Sequence, residues 1–536
     1  MAIDGDGRTI GEAFQDAVAR YGDRPFLMTP PSAGALTIVT YRQAAETAAG
    51  FADALRAAGY GAGSRIAVLM GNRIDYFPLM LACNCIGVSV VPVNPDYRPA
   101  EIAYLLQDSA ASLMITDAAR AELAGAGAAE SGRAPAIVLC EDFDGVFPRK
   151  PGTSLAGLPV TPRTEASLIY TSGTTGRPKG CRISHEYSLM VGARYCAMGG
   201  KAALREAVER IYNPLPLYHV NAMILSFFGA LLSGNCQIVP GRFSKSAWWT
   251  DLAESGATVF HYLGVIIPAL LSVPASARDA MHALRFGFGA GVEPELHAVF
   301  EDRFAVPLIE CWGMTEMCRV FVASEEPRTI DSRAFGRPGP GREARVVDAG
   351  DCDVPAGTPG EFLLRHSAAT PRKGFFCGYL NREAETEEAW RGGWFHTGDT
   401  VVQDETGLLS FVDRKKNVIR RSGENIAAAE VEDCLYRDPR VAQAAVIKAP
   451  DEMRDEEVFA CIVVKPEVPA DADLARALFD LCFENLAFYK PPGWILFVDS
   501  LPVTGTQKVL KHAIFADGAD PRAQPGAHDF RSLKTR

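Results

Sequence analysis

Positive charge is in deficit along this chain: 54 Lys and Arg against 65 Asp and Glu leave a formal charge of -11. The sequence pI is near 5.5. A nucleic-acid surface would leave a basic patch or stripe, so no nucleic-acid partner is expected. Any cations that serve anionic ligands must be placed locally. Long unbroken hydrophobic runs are also missing. Residues 211–241 carry no charge, yet Pro214, Pro216, His219, Asn221 and Asn235 interrupt them. A spanning helix needs ~20 mostly apolar residues, so this stretch reads as buried core, with no membrane span. The opening Met-Ala-Ile-Asp-Gly-Asp has neither the basic start nor the apolar run of a secretory signal. Thirteen cysteines, an odd count without CxxC pairs, suit a reducing cytoplasmic setting better than a disulfide framework. Cys83 and Cys85 sit in an apolar segment and read as packing residues. There is no internal repeat.

A chain of 536 residues predicts three or four folding units at ~150 residues each. Helical spacing over residues 45–58, a buried strand at 65–70 and aliphatic runs at 88–93, 113–116 and 136–139 alternate along the first part. That alternation predicts parallel α/β layers. Between 339 and 365 the texture changes to short strands with glycine turns, a β-rich subdomain. After Asp413-Arg-Lys-Lys416 a compact α+β pattern follows, with a helix near 427–437 and a strand at 459–464. The expected class is α/β: residues 1–412 as a large domain of layered subdomains and 417–516 as a small α+β domain. Residues 517–536, rich in Gly, Pro, Asp and Arg, are expected to fray.

Residues 167–185 read Ser-Leu-Ile-Tyr-Thr-Ser-Gly-Thr-Thr-Gly-Arg-Pro-Lys-Gly-Cys-Arg-Ile-Ser-His, a short strand entering a loop of hydroxyls and glycines with one cation, Lys179. Gly173, Gly176 and Gly180 permit close backbone approach, so successive N–H groups converge on an anion, with hydroxyls from Thr171, Ser172, Thr174 and Thr175 beside them. Pro178 stiffens the loop ahead of the lysine. The spacing is not a Walker A loop, because the fifth residue after Gly173 is Pro178.

This string resembles the phosphate loop of the acyl-adenylating superfamily of acyl-CoA synthetases, peptide-synthetase adenylation domains and beetle luciferases. The resemblance runs from about Thr9 to about Phe515, with motifs in the family's order. It implies a mobile small domain, with 413–416 as hinge and Lys416 at the hinge position. Glu310-Cys-Trp-Gly-Met-Thr-Glu316 looks like the aromatic-Gly-x-Thr-Glu motif: Glu316 would hold Mg2+, Thr315 would contact phosphate, and Trp312 and Gly313 would border adenine, although tyrosine is usual at 312. Gly287-Phe-Gly-Ala-Gly-Val292 resembles the glycine-rich turn that admits the nucleotide, through Gly289, Ala290 and Gly291, and the acyl group, through Gly287 and Phe288. It fails the dinucleotide pattern Gly-x-Gly-x-x-Gly. Trp394-Phe-His-Thr-Gly-Asp399 matches the signature whose aspartate accepts ribose hydroxyls, with Arg414 as a second ribose contact.

By the same resemblance, His219 stands between the acid and nucleotide sites, and Lys508, in Leu501-Pro-Val-Thr-Gly-Thr-Gln-Lys508, is the catalytic lysine of adenylation. Gln507 replaces the usual glycine. Ser422-Gly-Glu-Asn-Ile426, with Gly423, resembles the segment that lies beside pantetheine, and Asp455 stands where a glycine is usual. The acid pocket would draw on His219, Val220, Asn221, Tyr262, Leu263, Gly264, Phe288, Cys311, Trp312, Met317 and Cys318. None but His219 is ionisable near neutrality; Tyr262 and Trp312 suggest an aryl acid, a branched acid or a quaternary ammonium. The implied reaction uses ATP, Mg2+ and coenzyme A to join a small carboxylic acid to a thiol. The phrases Pro-Lys-Gly-Cys, Tyr-Leu-Gly-Val and Gly-Glu-Asn-Ile-Ala-Ala-Ala-Glu look closest to crotonobetaine/carnitine-CoA ligase-like synthetases. A stand-alone enzyme loading a carrier protein is the alternative; no Gly-Gly-x-Ser carrier segment follows. A homodimer is compatible with the family.

Overall fold

The computed structural model describes residues 7–141, 145–171, 177–264, 266–277, 279–292, 294–318, 320–339, 341–414, 418–502, 509, 511–516 and 519–535. Two mainly parallel sheets form its bulk. In the first, Pro25–Thr29, Cys236–Ile238, Arg210–Tyr212, Val259–Leu263, Phe286–Ala290 and Leu308–Trp312 lie side by side, with antiparallel Thr37–Thr40 and Phe321–Val322 at the edges. In the second, Ala136–Leu139, Leu113–Thr116, Arg65–Leu69, Ser89–Pro92 and Glu165–Thr171 run parallel, closed by antiparallel Lys179–Ser184. These strands are near-continuous aliphatic runs because helices cover both faces.

The helices follow from local signals. Tyr41–Ala57 starts at a Thr40–Gln43 capping box and buries Ala44, Ala48, Ala52 and Leu55 along one stripe. Tyr76–Cys85 and Phe227–Ser233 are apolar on nearly all sides and lie in the core, where the rings of Phe77 and Phe227 stack with centroids 4.3 Å apart. The uncharged stretch 211–241 folds there as strand, helix and strand. No helix among the described residues is long and apolar enough to cross a membrane.

The third sheet is antiparallel, in the order Ala334–Gly336, Leu409–Arg414, Phe395–Gln403, Gly360–Arg365 and Glu343–Val347. It is the β-rich region expected from the glycine-punctuated texture. The C-terminal unit has its own core, in which Val431, Leu435, Ile462, Leu478 and Phe479 pack between helices Ala428–Leu435 and Ala472–Asn485 and a mixed sheet.

The tail departs from the expectation of fraying. His528–Asp529 adds a short strand to Trp494–Phe497, and the ring of Phe530 stacks on Phe479 at 5.2 Å. Lys534 is buried 2.5 Å from Glu457, which also holds Arg421 at 2.8 Å. Burial, with Arg421 nearby, pushes the Lys534 ammonium down to about 7. A few anchoring side chains thus outweigh a polar, turn-rich composition. Phe530→Ala is expected to cost about 3 kcal/mol of stability, the usual penalty for a buried aromatic. A denaturant midpoint unchanged from the parent would contradict this.

Candidate active site

A cavity of about 580 Å³ opens beyond the carboxyl ends of the parallel strands and runs under the C-terminal unit. Ligands of open α/β sheets bind in that crevice. Strands Val259–Leu263, Phe286–Ala290 and Leu308–Trp312 deliver Leu263, Gly264, Ala290, Gly291 and Gly313 to its wall. The turn at Gly291 has φ +86°, and a Cβ on Gly264 would lie 1.8 Å from the Gly291 carbonyl oxygen, so the two loops touch backbone to backbone. Glu310 fastens them: its Oε2 accepts from Gly291 N–H at 2.9 Å and its Oε1 from the Tyr262 hydroxyl at 2.6 Å. Burial still raises its carboxyl above the usual range.

At one end, Thr171, Lys179, Thr315, Glu316 and Asp399 share the wall. The Tyr379 hydroxyl donates to Glu316 Oε1 at 2.8 Å, and the Lys179 ammonium lies 5.2 Å from the Tyr379 ring centroid. Lys179 is ion-paired with Glu385 of helix Glu383–Ala389. Burial raises the Glu385 carboxyl, but Lys179 and Arg382 outweigh it and hold the group below the usual range. Glu316 presents hard carboxylate oxygens beside a hydroxyl, a donor set that fits Mg2+. Asp399 is 3% exposed and faces Arg414 across paired strands.

The sequence reading placed Trp312 against adenine and the acid. Instead it stands behind the wall, in an aromatic cluster with Phe321, Phe335 and Phe362, and its indole N–H donates to Asp399 Oδ2 at 2.9 Å. An indole, unlike a phenol, is a donor only, which matches an ionised partner. Tyr262, Phe288 and Cys318 are fully buried. A Cβ on Gly287 would strike Phe260, and one on Gly289 would strike Tyr262. None of these five lines the cavity; Val220, Asn221, Leu263, Gly264, Cys311 and Met317 do. Ser172, Gly173, Thr174, Thr175, Gly176, Lys416, Gln507 and Lys508 lie outside the described residues, as does the side chain of Arg414.

The C-terminal unit reaches the cavity through a hairpin between Val418–Arg421 and Glu424–Ala427. Ser422 and Gly423 both have positive φ, 52° and 87°, the geometry of a tight two-residue turn. A Cβ on Gly423 would come within 2.4 Å of Leu263 Cδ1. Next to it, Glu424 Oε1 accepts from the Tyr218 hydroxyl at 2.6 Å, and Oε2 lies 3.6 Å from His219 Nε2. Burial pushes the Glu424 carboxyl up, but His219, Tyr218 and Lys490 together bring it below the usual range. Lys490 reinforces the contact: 3% exposed, it pairs with Glu101 of the large unit and with Glu430 at 2.8 Å. Tyr489 adds a hydrogen bond from Asn94 at 2.9 Å.

Tyr379, Glu385, Glu310 and Glu424 were not assigned roles from sequence. Glu310 and Glu424 lie inside motifs already singled out. The other two meet the site only through tertiary pairing, such as the isolated bridge between Cys181 and Tyr379.

The family model for AMP-binding enzymes matches residues 14–376, and that for the AMP-binding enzyme C-terminal domain matches 430–508. The chain belongs to the AMP-binding enzyme family, within the acyl-adenylating superfamily. It is 32% identical over 517 residues to sulfoacetate–CoA ligase of Cupriavidus necator, covering 94% of this chain and 96% of that one. It is 28% identical over 522 residues to crotonobetaine/carnitine–CoA ligase of Citrobacter koseri, covering 94% and 98%. Among solved structures, a double mutant of o-succinylbenzoate CoA synthetase from Bacillus subtilis, bound with its product analogue OSB-NCoA, superposes with TM-score 0.80 at 23% identity, covering 95% and 98%. The same synthetase in complex with AMP gives TM-score 0.65 at 23% identity, over the same shares. The chain is an acyl-CoA synthetase, an AMP-forming acid–thiol ligase using ATP and coenzyme A.

Proposed function

We propose that this enzyme activates a small carboxylic acid as its adenylate in the cavity described, and that the structure holds the C-terminal unit as it stands for the second step, thioester formation. The observation that carries this is the 421–424 hairpin seated in the cavity mouth, with Gly423 on Leu263 and Glu424 on Tyr218 and His219. The higher TM-score with the product-analogue complex than with the AMP complex of one synthetase supports the same arrangement.

In the first step the acid's carboxylate oxygen attacks the α-phosphorus of ATP and pyrophosphate leaves. Lys179, Thr171 and Thr315 take the phosphates, Asp399 and Arg414 take the ribose, and Lys508 meets the charge that builds at the α-phosphate. Glu316, held by Tyr379, would hold Mg2+, which when bound screens the triphosphate. The mixed anhydride then has a good leaving group where a free carboxylate has none. In the second step the thiol of coenzyme A attacks the acyl carbon and AMP departs. Lys508 must withdraw for the hairpin to enter, so residues 1–412 and 417–516 act as two bodies joined by a hinge at 413–416, with gating by rotation. The reading includes a cytoplasmic location.

Purified protein given ATP, coenzyme A and a panel of short acids should release pyrophosphate and AMP and accumulate thioester, each measured separately. AMP that requires a carrier protein in place of coenzyme A would contradict the assignment. The Lys179–Glu385 pair must open before ATP can use the lysine. Glu385→Gln is therefore expected to lower the KM for ATP several-fold with little change in kcat, since a charge-assisted partner contributes about 1.5–3 kcal/mol before opposing terms. A raised KM would mean that Glu385 positions Lys179 rather than competing for it.

A further inference from the structure

Asn221 begins the π-helical segment Asn221–Ser226 at the acid end of the cavity, and π-turns recur at functional sites. Its amide orientation follows from a chain of hydrogen bonds anchored on a backbone group. The Leu215 N–H donates to an Asn213 side-chain atom at 3.0 Å, and a backbone N–H can only donate, so that atom is Oδ1. Asn213 Nδ2 therefore points the other way, to Ser226 Oγ at 2.8 Å and to Asn221 at 3.0 Å. The Asn221 atom that receives it must be Oδ1.

The same Oδ1 lies 2.7 Å from His261 Nδ1. His261 is fully buried, and burial pushes it down to about 3, so the ring is neutral with a single N–H. That proton sits on Nδ1, facing the Asn221 oxygen, while Nε2 accepts from the buried Tyr195 hydroxyl at 2.6 Å. Asn213, His261 and Tyr195 thus spend themselves on fixing one carbonyl oxygen. Asn221 Nδ2 keeps both of its protons and donates to no described residue.

The surrounding wall is apolar: Val220, Leu225, Leu263, Pro268, Cys311 and Met317. Tyr187, also on the wall, has its hydroxyl committed to the Thr315 carbonyl at 2.8 Å. Glu310, the buried carboxylate nearby, is turned to Gly291 and Tyr262. Among the described residues this lobe therefore offers a fixed amide donor and no anion.

Resting on the acyl-CoA synthetase reading, we infer that Asn221 selects the substrate: the acid carries a hydrogen-bond acceptor oxygen away from its reacting carboxylate, as a hydroxyl, keto or sulfonate group, and Asn221 Nδ2 receives it. A plain alkyl end leaves this donor without a substrate partner, and a trimethylammonium end offers it no acceptor and meets no countercharge among the described wall residues. Sites built to hydrogen-bond a substrate reject analogues lacking the partner atom more strongly than apolar pockets reject an extra group.

The test compares straight-chain acids of three to six carbons with partners of equal length bearing a hydroxyl, a keto group or a sulfonate at the far end, read as kcat/KM for pyrophosphate release. At the matching length the acceptor-bearing acid should be favoured at least tenfold, and Asn221→Leu should abolish or invert that ratio. Because the ratio is taken on one preparation, a partly misfolded variant does not disturb it. The identity of the favoured group separates hydroxyl, keto and sulfonate. Ratios near one at every length, or a ratio that Asn221→Leu leaves intact, overturn the inference while the ligase reading stands. Failure of every acid to release pyrophosphate overturns both.

Discussion

Gly423→Val is expected to stop thioester formation while leaving adenylate formation in place. Two costs add at this position. The backbone stands at φ 87°, where a β-branched residue is an outlier, and the first side-chain carbon would meet Leu263 at 2.4 Å. Strain of this kind is about 1–3 kcal/mol before the collision is counted. Each 1.36 kcal/mol is tenfold in rate, so that strain corresponds to a loss of roughly five- to a hundredfold for the step that needs the hairpin in place. The measurement is thioester appearance from supplied acyl-adenylate and coenzyme A, set beside pyrophosphate release from acid and ATP. Equal loss in both assays would mean that the hairpin serves the first step too.

Lys508→Ala should give the mirror image. Removing one preorganised electrostatic donor from the α-phosphate costs on the order of a hundred- to a thousandfold. Pyrophosphate release should fall by that factor, and thioester formation from supplied adenylate should persist. Mixing the two variants should restore overall turnover if the adenylate escapes into solution. Thioester formation that falls together with pyrophosphate release would remove Lys508 from the role given to it.

The parts legible in the sequence are those in which several residues of one chemical kind lie close together along the chain. The hydroxyl-rich loop before Lys179, the Thr315-Glu316 pair and Asp399 each stand in a short motif of the family, and the structure brings Lys179, Thr315, Glu316 and Asp399 onto one cavity wall. Parallel α/β layering was legible for the same reason, because buried strands are written as aliphatic runs. What could not be read depends on pairs distant in sequence. Glu385 reaches Lys179 across a sheet edge, and Tyr379 finds Glu316 because an isolated bridge ties it to Cys181. Trp312 was misplaced because an aromatic residue in a motif reads as a stacking surface, while its N–H found an aspartate from another sheet. The tail misled through composition: Pro, Gly and Asp dominate it, but Phe530 and Lys534 decide its fate.

That tail also bears on how the molecule behaves among its copies. Trp494–Phe497 is a Trp-Ile-Leu-Phe run whose outer side is covered, at Trp494 and Ile495, by His528 and Asp529. Stripped of its cover, such a ribbon would present open amides and greasy side chains to any neighbouring molecule, the template on which chains stick together. A protein shortened before residue 519 should therefore be lost first to clumping, with its chemistry still competent in whatever remains in solution.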